Sequence, residues 1–154
     1  MYDKGMMKMQ KQRCHAILAV YLVVIERDAV LLLLRQNTGY SDGMYSLPAG
    51  HIDPGESVKT AMKREAKEEI GIEIDPDDLT IACSMYRNAD DDERMDFFLT
   101  VDRWKGEIKN MEPHKCVELK YFSINDLPNN LIPHVKMGIE SSLNGISFVE
   151  YGWN

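Results

Sequence analysis

Residues Gly50–Ile72 read GHIDPGESVKTAMKREAKEEIGI and form the most informative stretch of the chain. Its central run, REAKEE at positions 64–69, carries the three carboxylates of Glu65, Glu68 and Glu69. At 3.6 residues per helical turn, these side chains fall within roughly 100° of one another on one helix face. Like charges this close are unfavourable unless a positive charge neutralises them. A hard divalent cation, which prefers oxygen ligands, is therefore the predicted partner of this face.

Two N-terminal caps fit the start of this helix, and the residues alone leave both open. Asp53 begins the sequence Asp-Pro-Gly-Glu, which has the form of a capping box with proline at the first helical position. Ser57 is the second candidate cap. Gly71 suits the left-handed conformation that ends many helices. Between these ends, an apolar stripe recurs at every fourth residue, at Met62, Ala66 and Ile70.

The rest of the chain alternates between strand-like and loop-like segments. Apolar and β-branched residues predict strands over residues 14–26, 29–35, 45–47, 79–87, 94–104 and 116–123. A second helix is predicted over residues 132–143, with Pro133 near its start. The order of elements, βββ-α-βββ-α, predicts an α/β (α+β) chain built as an α/β/α sandwich around a mixed β-sheet.

Length and composition predict one domain without a membrane span. The chain has 154 residues and no Pro/Gly/Ser-rich linker, so we expect residues 13–154 to form a single domain. Residues 1–12, rich in methionine and lysine, are expected to form a flexible N-terminal tail. The longest apolar run, residues 16–25, is shorter than the roughly 18–20 residues that a spanning helix needs.

Charge and cysteine content narrow the partners and the compartment. The net charge of −7 argues against nucleic-acid polymers and anionic membranes as partners. It also implies that metal ions must offset the repulsion if the substrate is a polyphosphate. Cys14, Cys83 and Cys116 have no CxxC spacing and cannot all pair, which favours reduced thiols in the cytoplasm.

The spacing of the fixed residues in Gly50–Ile72 resembles the Nudix box. This box is the signature of enzymes that hydrolyse a nucleoside diphosphate linked to another group. Every fixed position of the box is occupied, by Gly50, Glu56, Arg64, Glu65, Glu68, Glu69 and Gly71, with Ala66 as a small residue at an aliphatic position. The resemblance implies the Nudix fold and favours Ser57 as the helix cap.

The resemblance also implies roles for individual residues. Glu68 and Glu69 would be direct ligands of Mg²⁺, for which Mn²⁺ is a possible substitute, and Glu65 would be either a further ligand or the general base. The backbone carbonyl of Ala49 would be another ligand, although many members of the family have glycine at this position. Arg64 would pair with Glu56 and hold the preceding loop against the helix, which is a positioning role at the catalytic site.

Other site residues are predicted from their distance from the box. Glu112 lies where a distant loop often supplies one more carboxylate in triphosphate-cleaving members, and Glu118 is the alternative. Tyr45 and Leu47 precede the box where residues that stack on the base often lie. We therefore predict a substrate-binding set made of Tyr45, Leu47, Gly50 and Asn129, the last because some MutT-type enzymes read a purine with an asparagine nearby.

The leading functional hypothesis is a metal-dependent hydrolase of a (deoxy)nucleoside triphosphate that yields the monophosphate and pyrophosphate. Such an enzyme could cleanse the nucleotide pool of damaged nucleotides. The sequence motifs typical of relatives acting on NADH, ADP-ribose or diadenosine polyphosphates are missing downstream of the box. In ADP-ribose hydrolases this downstream region has a proline, and the residue at that position here is Arg87. Hydrolysis of ADP-ribose, a nucleotide sugar or a dinucleoside polyphosphate remains the alternative, as does a nucleotide sensor without turnover. The preferred base and a homodimeric state, common among relatives, are left open.

Overall fold

This computed structural model describes residues 11–154, which form twelve elements of a mixed α and β chain. The strands are β1 (Ala16–Val23), β2 (Ile25–Glu26), β3 (Ala29–Arg35), β4 (Tyr45–Ser46), β5 (Ala49–His51), β6 (Leu79–Ala89), β7 (Asp92–Val101), β8 (Cys116–Ser123) and β9 (Phe148–Tyr151). The helices are α1 (Val58–Ile70), a short 3-10 turn (Pro76–Asp78) and α2 (Pro133–Leu143). The predicted tail lies almost wholly outside the described residues, so it stays a prediction.

The strands form two sheets. The larger has the order β5-β1-β7-β6-β9 and is mixed, because β1 pairs with β7 in parallel and β6 with β9 in parallel. The smaller joins β2, β3, β4 and β8 through antiparallel pairs. The mixed sheet was predicted correctly, whereas the division into two sheets was not.

Both faces of the larger sheet are covered, which confirms the sandwich. Along β1, Tyr21 and Val23 pack with the core that includes Val135 and Ile139 of α2. The alternate residues, such as Leu22, pack with the opposite core around α1. This alternation follows from the period of two in a strand. No helix in residues 11–154 is long and apolar enough to cross a membrane.

Helix α1 begins after Ser57 and ends at Gly71, two of the residues that the sequence offered as caps. The Ser57 hydroxyl accepts a hydrogen bond from the backbone N–H of Thr60 at 3.2 Å, so Ser57 is the cap and Asp53 is not. Such a cap contributes about 1 kcal/mol. Gly71 ends the helix with φ of 75°, a left-handed conformation that glycine adopts without a steric penalty. The apolar stripe is fully buried in the core that includes β1, which fixes the neighbouring acidic face toward β5 and the loops.

The strands differ from the prediction in number and in bounds; the strand predicted over residues 94–104, for example, is β7 (Asp92–Val101). The long first strand is interrupted after Val23, and β5 and β9 were not predicted. β5 contains Ala49 and Gly50, which have low strand propensity, so only its pairing with β1 forms it. β9 has four residues and pairs with β6 far along the chain, a contact that no local pattern reveals.

Gly138 of α2 provides a test of this packing. A Cβ atom at residue 138 would lie 2.1 Å from ring atoms of Phe98, which is itself stacked on Tyr21. We expect Gly138→Ala to lower the free energy of unfolding by about 1–3 kcal/mol, because overpacking outweighs the gain in helix propensity.

Urea unfolding followed by circular dichroism would measure this loss. Lys136→Ala, at an exposed position of the same helix, is the control and should change the free energy by less than about 0.5 kcal/mol. An unchanged midpoint for Gly138→Ala would contradict the packing of α2 on β7.

Candidate functional site

The acidic face of α1 meets strand β5 through Glu69. One carboxylate oxygen of Glu69 accepts a hydrogen bond from the backbone N–H of Ala49 at 2.9 Å. Burial raises the pKa of Glu69 to about 8, while the Ala49 N–H opposes the shift and the nearby charges of Glu65 and Glu112 add to it. A carboxyl group held in this environment gains strongly from a nearby cation.

Gly50 allows Glu65 to approach the same strand. A Cβ atom at residue 50 would lie only 2.0 Å from the carboxylate carbon of Glu65, so any side chain here would displace that carboxylate. Burial raises the pKa of Glu65 as well, and Arg64 opposes the shift. The role that the structure gives Gly50 is therefore close packing against Glu65.

Arg64 links the loop before α1 to the acidic face, as predicted. Its guanidinium donates to both carboxylate oxygens of Glu56, at 2.8 and 2.9 Å, and to Glu65 at 2.6 Å. A further bond to the backbone carbonyl of His51, at 3.0 Å, ties the guanidinium to β5. The paired guanidinium lowers the pKa of Glu56 to about 2. Glu56 is thus a permanently charged anchor, and Arg64 positions Glu65.

The carboxylates of α1 line one cleft together with Glu112. This acidic cleft has a volume of about 280 Å³ and is lined by Glu65, Glu68, Glu69, Glu112, Arg35, Thr38, Lys115 and other residues. Carboxylate oxygens are the ligands that Mg²⁺ prefers, and their mutual repulsion is what a divalent cation relieves, so the donor set fits such an ion. Within residues 11–154, no three acidic, histidine or cysteine side chains are already grouped at a common metal centre. The carboxylates would have to turn toward the ion.

Glu112 lies in the acidic cleft, as the sequence predicted. Its loop is fixed by the side chain of Asn110, which accepts from the Glu112 backbone N–H at 3.1 Å. The Glu112 carboxylate lies 3.4 Å from the ammonium of Lys115, and its charge raises the pKa of both Glu65 and Glu69. The alternative residue, Glu118, instead accepts a hydrogen bond from the hydroxyl of Tyr45. The geometry therefore favours Glu112.

Three residues predicted to bind the substrate lie elsewhere. Leu47 is 1% exposed and Tyr45 is 8% exposed, and both pack in the core next to α2. Tyr45 also packs edge-on against Phe122. Asn129 is exposed in a turn and does not line the acidic cleft. Because both side chains are buried, Tyr45 and Leu47 do not stack on a base. Their residue types fit a core as well as a pocket, so the sequence alone did not distinguish the two. The role predicted for the carbonyl of Ala49 stays a prediction.

A second cleft lies beside the first, and sequence reasoning did not predict it. This arginine cleft has a volume of about 400 Å³, and its lining includes Arg35, Arg87, Arg94, Tyr40, His51, His134, Ala49 and Gly50. Arg35 lines both clefts, and its side chain is held by bonds to the carbonyl of Tyr40 and the hydroxyl of Thr38, each at 3.0 Å. One signal was available: Arg35 is the cation that ends the apolar strand β3.

The family comparison agrees with this arrangement of acidic helix and flanking loops. A family model described as the NUDIX domain matches residues 15–139. The chain belongs to the NUDIX family. The match contains the carboxylates of α1, Glu112 and the arginines of the second cleft, so both clefts belong to the NUDIX domain.

Relatives named for different activities resemble this NUDIX chain. An ADP-ribose pyrophosphatase from Methanocaldococcus jannaschii is 31% identical over 74% of the chain, and the match covers 66% of that protein. Human 8-oxo-dGDP phosphatase NUDT18 is 39% identical over 47% of the chain, but the match covers only 21% of its length. The chain thus spans less than two thirds of either relative.

Solved structures support the fold. A MutT NUDIX hydrolase from Burkholderia pseudomallei aligns with a TM-score of 0.74 at 24% identity, covering 82% of this chain and 98% of the other. A MutT protein from Methanosarcina mazei aligns with a TM-score of 0.72 at 23% identity, covering 86% and 96% of the two chains. At this identity the likeness establishes the α/β/α fold alone.

The raised pKa of Glu69 predicts how the metal-free protein responds to pH. Because the pKa is higher in the folded state, at about 8, than its ordinary value, folding is favoured at low pH and this stabilisation is lost as the pH rises toward 8. Glu69→Gln, which cannot ionise, should therefore be more stable than the wild type by about 2 kcal/mol or more at about pH 8, and by less at about pH 5.

Urea unfolding in the presence of a chelator measures both differences. Glu68→Gln is the matched control, because it removes a carboxylate whose side chain is 53% exposed on the same helix. A stability gain for Glu69→Gln that is the same at both pH values would show that Glu69 is not buried as the structure places it.

Proposed function

We propose that this NUDIX chain is a divalent-metal-dependent hydrolase that cleaves a phosphoanhydride in a (deoxy)nucleoside triphosphate, yielding the monophosphate and pyrophosphate. One observation carries the proposal: an acidic cleft suited to a cation adjoins an arginine cleft suited to an anion, and Arg35 lines both. A polyphosphate complexed with a divalent cation matches this pair of charges.

The acidic cleft would hold the cation through its carboxylates. Glu68, Glu69 and Glu112 are the expected ligands, with the carbonyl of Ala49, and the ion would be Mg²⁺ or, as a substitute, Mn²⁺. When bound, the ion supplies positive charge to the phosphate oxygens and increases the acidity of the attacking water. The ionised form of Glu69 is required for this role, so cation binding would release any proton held at its raised pKa.

Glu65 would act as a ligand or as the general base. It lies over Gly50 at the wall between the two clefts, and Arg64 fixes its carboxylate at 2.6 Å. A carboxylate in that place can accept the proton of a water that attacks a phosphorus atom. Arg64 orients Glu65 and keeps Glu56 attached to the loop, so its contribution is positioning.

The proposed substrate is a free nucleotide, because the net charge of −7 disfavours a nucleic-acid polymer or an anionic membrane. Removal of damaged nucleotides from the pool is the proposed role, and the relative named as an 8-oxo-dGDP phosphatase supports it. The free thiols of Cys14, Cys83 and Cys116 favour the cytoplasm. A homodimer is compatible with this proposal, and its assembly can be measured separately.

ADP-ribose is the second candidate substrate. The relative from Methanocaldococcus jannaschii, which aligns over most of this chain, is named for that activity. Nucleotide sugars and dinucleoside polyphosphates would use the same cleavage chemistry. A sensor without turnover is disfavoured, since Glu65, Glu68 and Glu69 are all present.

A nucleotide panel tests the proposal. The protein would be incubated with Mg²⁺ and normal and oxidised deoxynucleoside triphosphates, ADP-ribose, a diadenosine polyphosphate and nucleotide sugars, and products would be separated by chromatography. We expect a monophosphate and pyrophosphate from at least one triphosphate, loss of the rate in chelator, and its recovery with Mg²⁺ or Mn²⁺.

Glu69→Gln should lower turnover by about a hundredfold or more, because the cleft loses a charged ligand.

Different results would redirect or refute the proposal. Turnover of ADP-ribose or a sugar nucleotide alone would retain the chemistry and replace the substrate. A rate that is insensitive to chelator would refute metal dependence, and tight nucleotide binding without turnover would favour a sensor.

Glu112 can be tested by titrating the metal. If its carboxylate is a ligand from the distant loop, Glu112→Gln should raise the Mg²⁺ concentration for half-maximal rate by about tenfold, with a smaller change at saturating Mg²⁺. Glu107→Gln is the matched control, because Glu107 is in the same loop and its side chain is 83% exposed. Identical titrations for wild type and Glu112→Gln would exclude Glu112 from the metal site.

A further inference from the structure

The arginine cleft contains a pair of like charges that the fold by itself disfavours. Arg87 of β6 and Arg94 of β7 are direct cross-strand partners in the hairpin register. Like charges directly opposite each other destabilise a sheet. Arg35 adds a third guanidinium from β3, and none of the residues lining the cleft is acidic.

Only part of this positive charge is balanced within the protein. The Nε atom of Arg87 donates to Asp96 at 2.8 Å in a fully buried ion pair. The Arg87 residue is 5% exposed, and among the described residues its two terminal nitrogens have no protein hydrogen-bond acceptor. Arg94 lies 3.8 Å from Asp92 and 3.4 Å from a ring nitrogen of His51, which are longer and weaker contacts. A buried guanidinium with free donors therefore lines a cleft that is rich in positive charge.

A neighbouring histidine responds to the same field. His134 of α2 lines the cleft, and burial together with the charges of Arg87, Arg94 and Arg35 lowers its pKa to about 3. The imidazole is therefore neutral at physiological pH, and its nitrogen near the Tyr21 hydroxyl, at 3.4 Å, supplies polarity without further charge. The charges in the cleft therefore favour binding of an anion over binding of a cation.

A neutral base or sugar would leave these charges without compensation. Enclosing three guanidinium groups beneath an uncharged ligand removes water from them and provides no opposite charge, which is unfavourable. A phosphate group satisfies the donors of several arginines at once through charge-assisted hydrogen bonds. The cleft volume of about 400 Å³ leaves room for a phosphate with an attached part of the substrate.

We propose that the arginine cleft binds an additional phosphate group of the substrate, beyond the diphosphate that is cleaved, with Arg87 and Arg94 as the residues that determine this specificity. The inference rests on the proposed hydrolytic function and narrows its substrate class. The additional phosphate has two sources: a terminal phosphate, as in a nucleoside triphosphate, or a phosphate on a sugar hydroxyl. Both offer the same chemistry to the cleft.

Matched substrate pairs test the proposal and distinguish the two sources. ATP against ADP varies the terminal phosphate, and 2′-phospho-ADP-ribose against ADP-ribose varies the sugar phosphate. With saturating Mg²⁺, we expect kcat/KM to favour the phosphorylated member of at least one pair by about tenfold or more. The pair that shows the preference identifies the source.

Two cleft variants and one control assign the preference to the arginines. Arg94→Gln removes a partly exposed charge, and Arg87→Met combined with Asp96→Asn removes the buried pair together, so that no charge is left alone in the core. Both should reduce the preference, mainly through KM for the phosphorylated member. Arg103→Gln, at a side chain that is 81% exposed away from the cleft, should retain it. Circular dichroism checks that each variant is folded.

Equal kcat/KM within both pairs, or a preference that survives in both folded cleft variants, would overturn the proposal. If no compound is hydrolysed, the proposed function fails and the cleft is tested by calorimetry with ATP and ADP in chelator. Tighter binding of ATP that is lost in Arg94→Gln would then support the cleft on its own, whereas equal binding of both nucleotides would refute it.

Discussion

The close approach of α1 to β5 is the contact on which the site depends. Gly50 has no side chain, so the carboxylate of Glu65 can lie where a Cβ atom would be. One residue earlier, the backbone N–H of Ala49 binds Glu69. A helix face with several carboxylates is thereby held against a strand, and that strand is fixed by its antiparallel pairing with the buried β1. A larger residue at position 50 would separate α1 from β5 and disrupt the arrangement of the carboxylates.

This contact buries carboxylates away from water, and the surrounding residues offset only part of the electrostatic cost. Arg64 neutralises Glu56 and Glu65 and ties both to β5. Glu69 has only a backbone donor, and its pKa is raised as a consequence. Functional sites commonly retain such unfavourable electrostatics because the ligand relieves them. The free protein is therefore less stable at high pH than its fold would allow, and a bound cation would restore that stability.

The two clefts differ in the charge of the residues that line them. The acidic cleft is built mainly from α1 and the loop that carries Glu112, whereas the arginine cleft is built from strand ends and α2. Arg35 at the end of β3 is common to both. The proposed substrate, which carries phosphates and a divalent cation, would contact both clefts at once.

The elements with local signals were predictable from the amino-acid sequence. Helix α1 followed from a repeat of apolar residues with Gly71 at its end, strands β3 and β8 from runs of apolar residues, and the grouping of carboxylates on one helix face from their spacing, while their role as metal ligands stays a prediction. Glu112 was expected near this face from the family resemblance and not from local spacing; it lines the acidic cleft, and its role as a ligand stays a prediction. The predictions of helix and strands succeeded because each depends on residues a few positions apart, where helical and strand periods apply.

Which distant residues share a cleft depends on the packing of the whole fold. Arg87 and Arg94 are brought together by the register of β6 and β7, whereas Arg35 comes from β3 in the other sheet and reaches the same cleft through the packing of the two sheets. The same packing buried Tyr45 and Leu47, which had been predicted to contact the substrate. A single sequence carries no local signal for strand order across a mixed sheet, because that order is set by the burial of both faces at once.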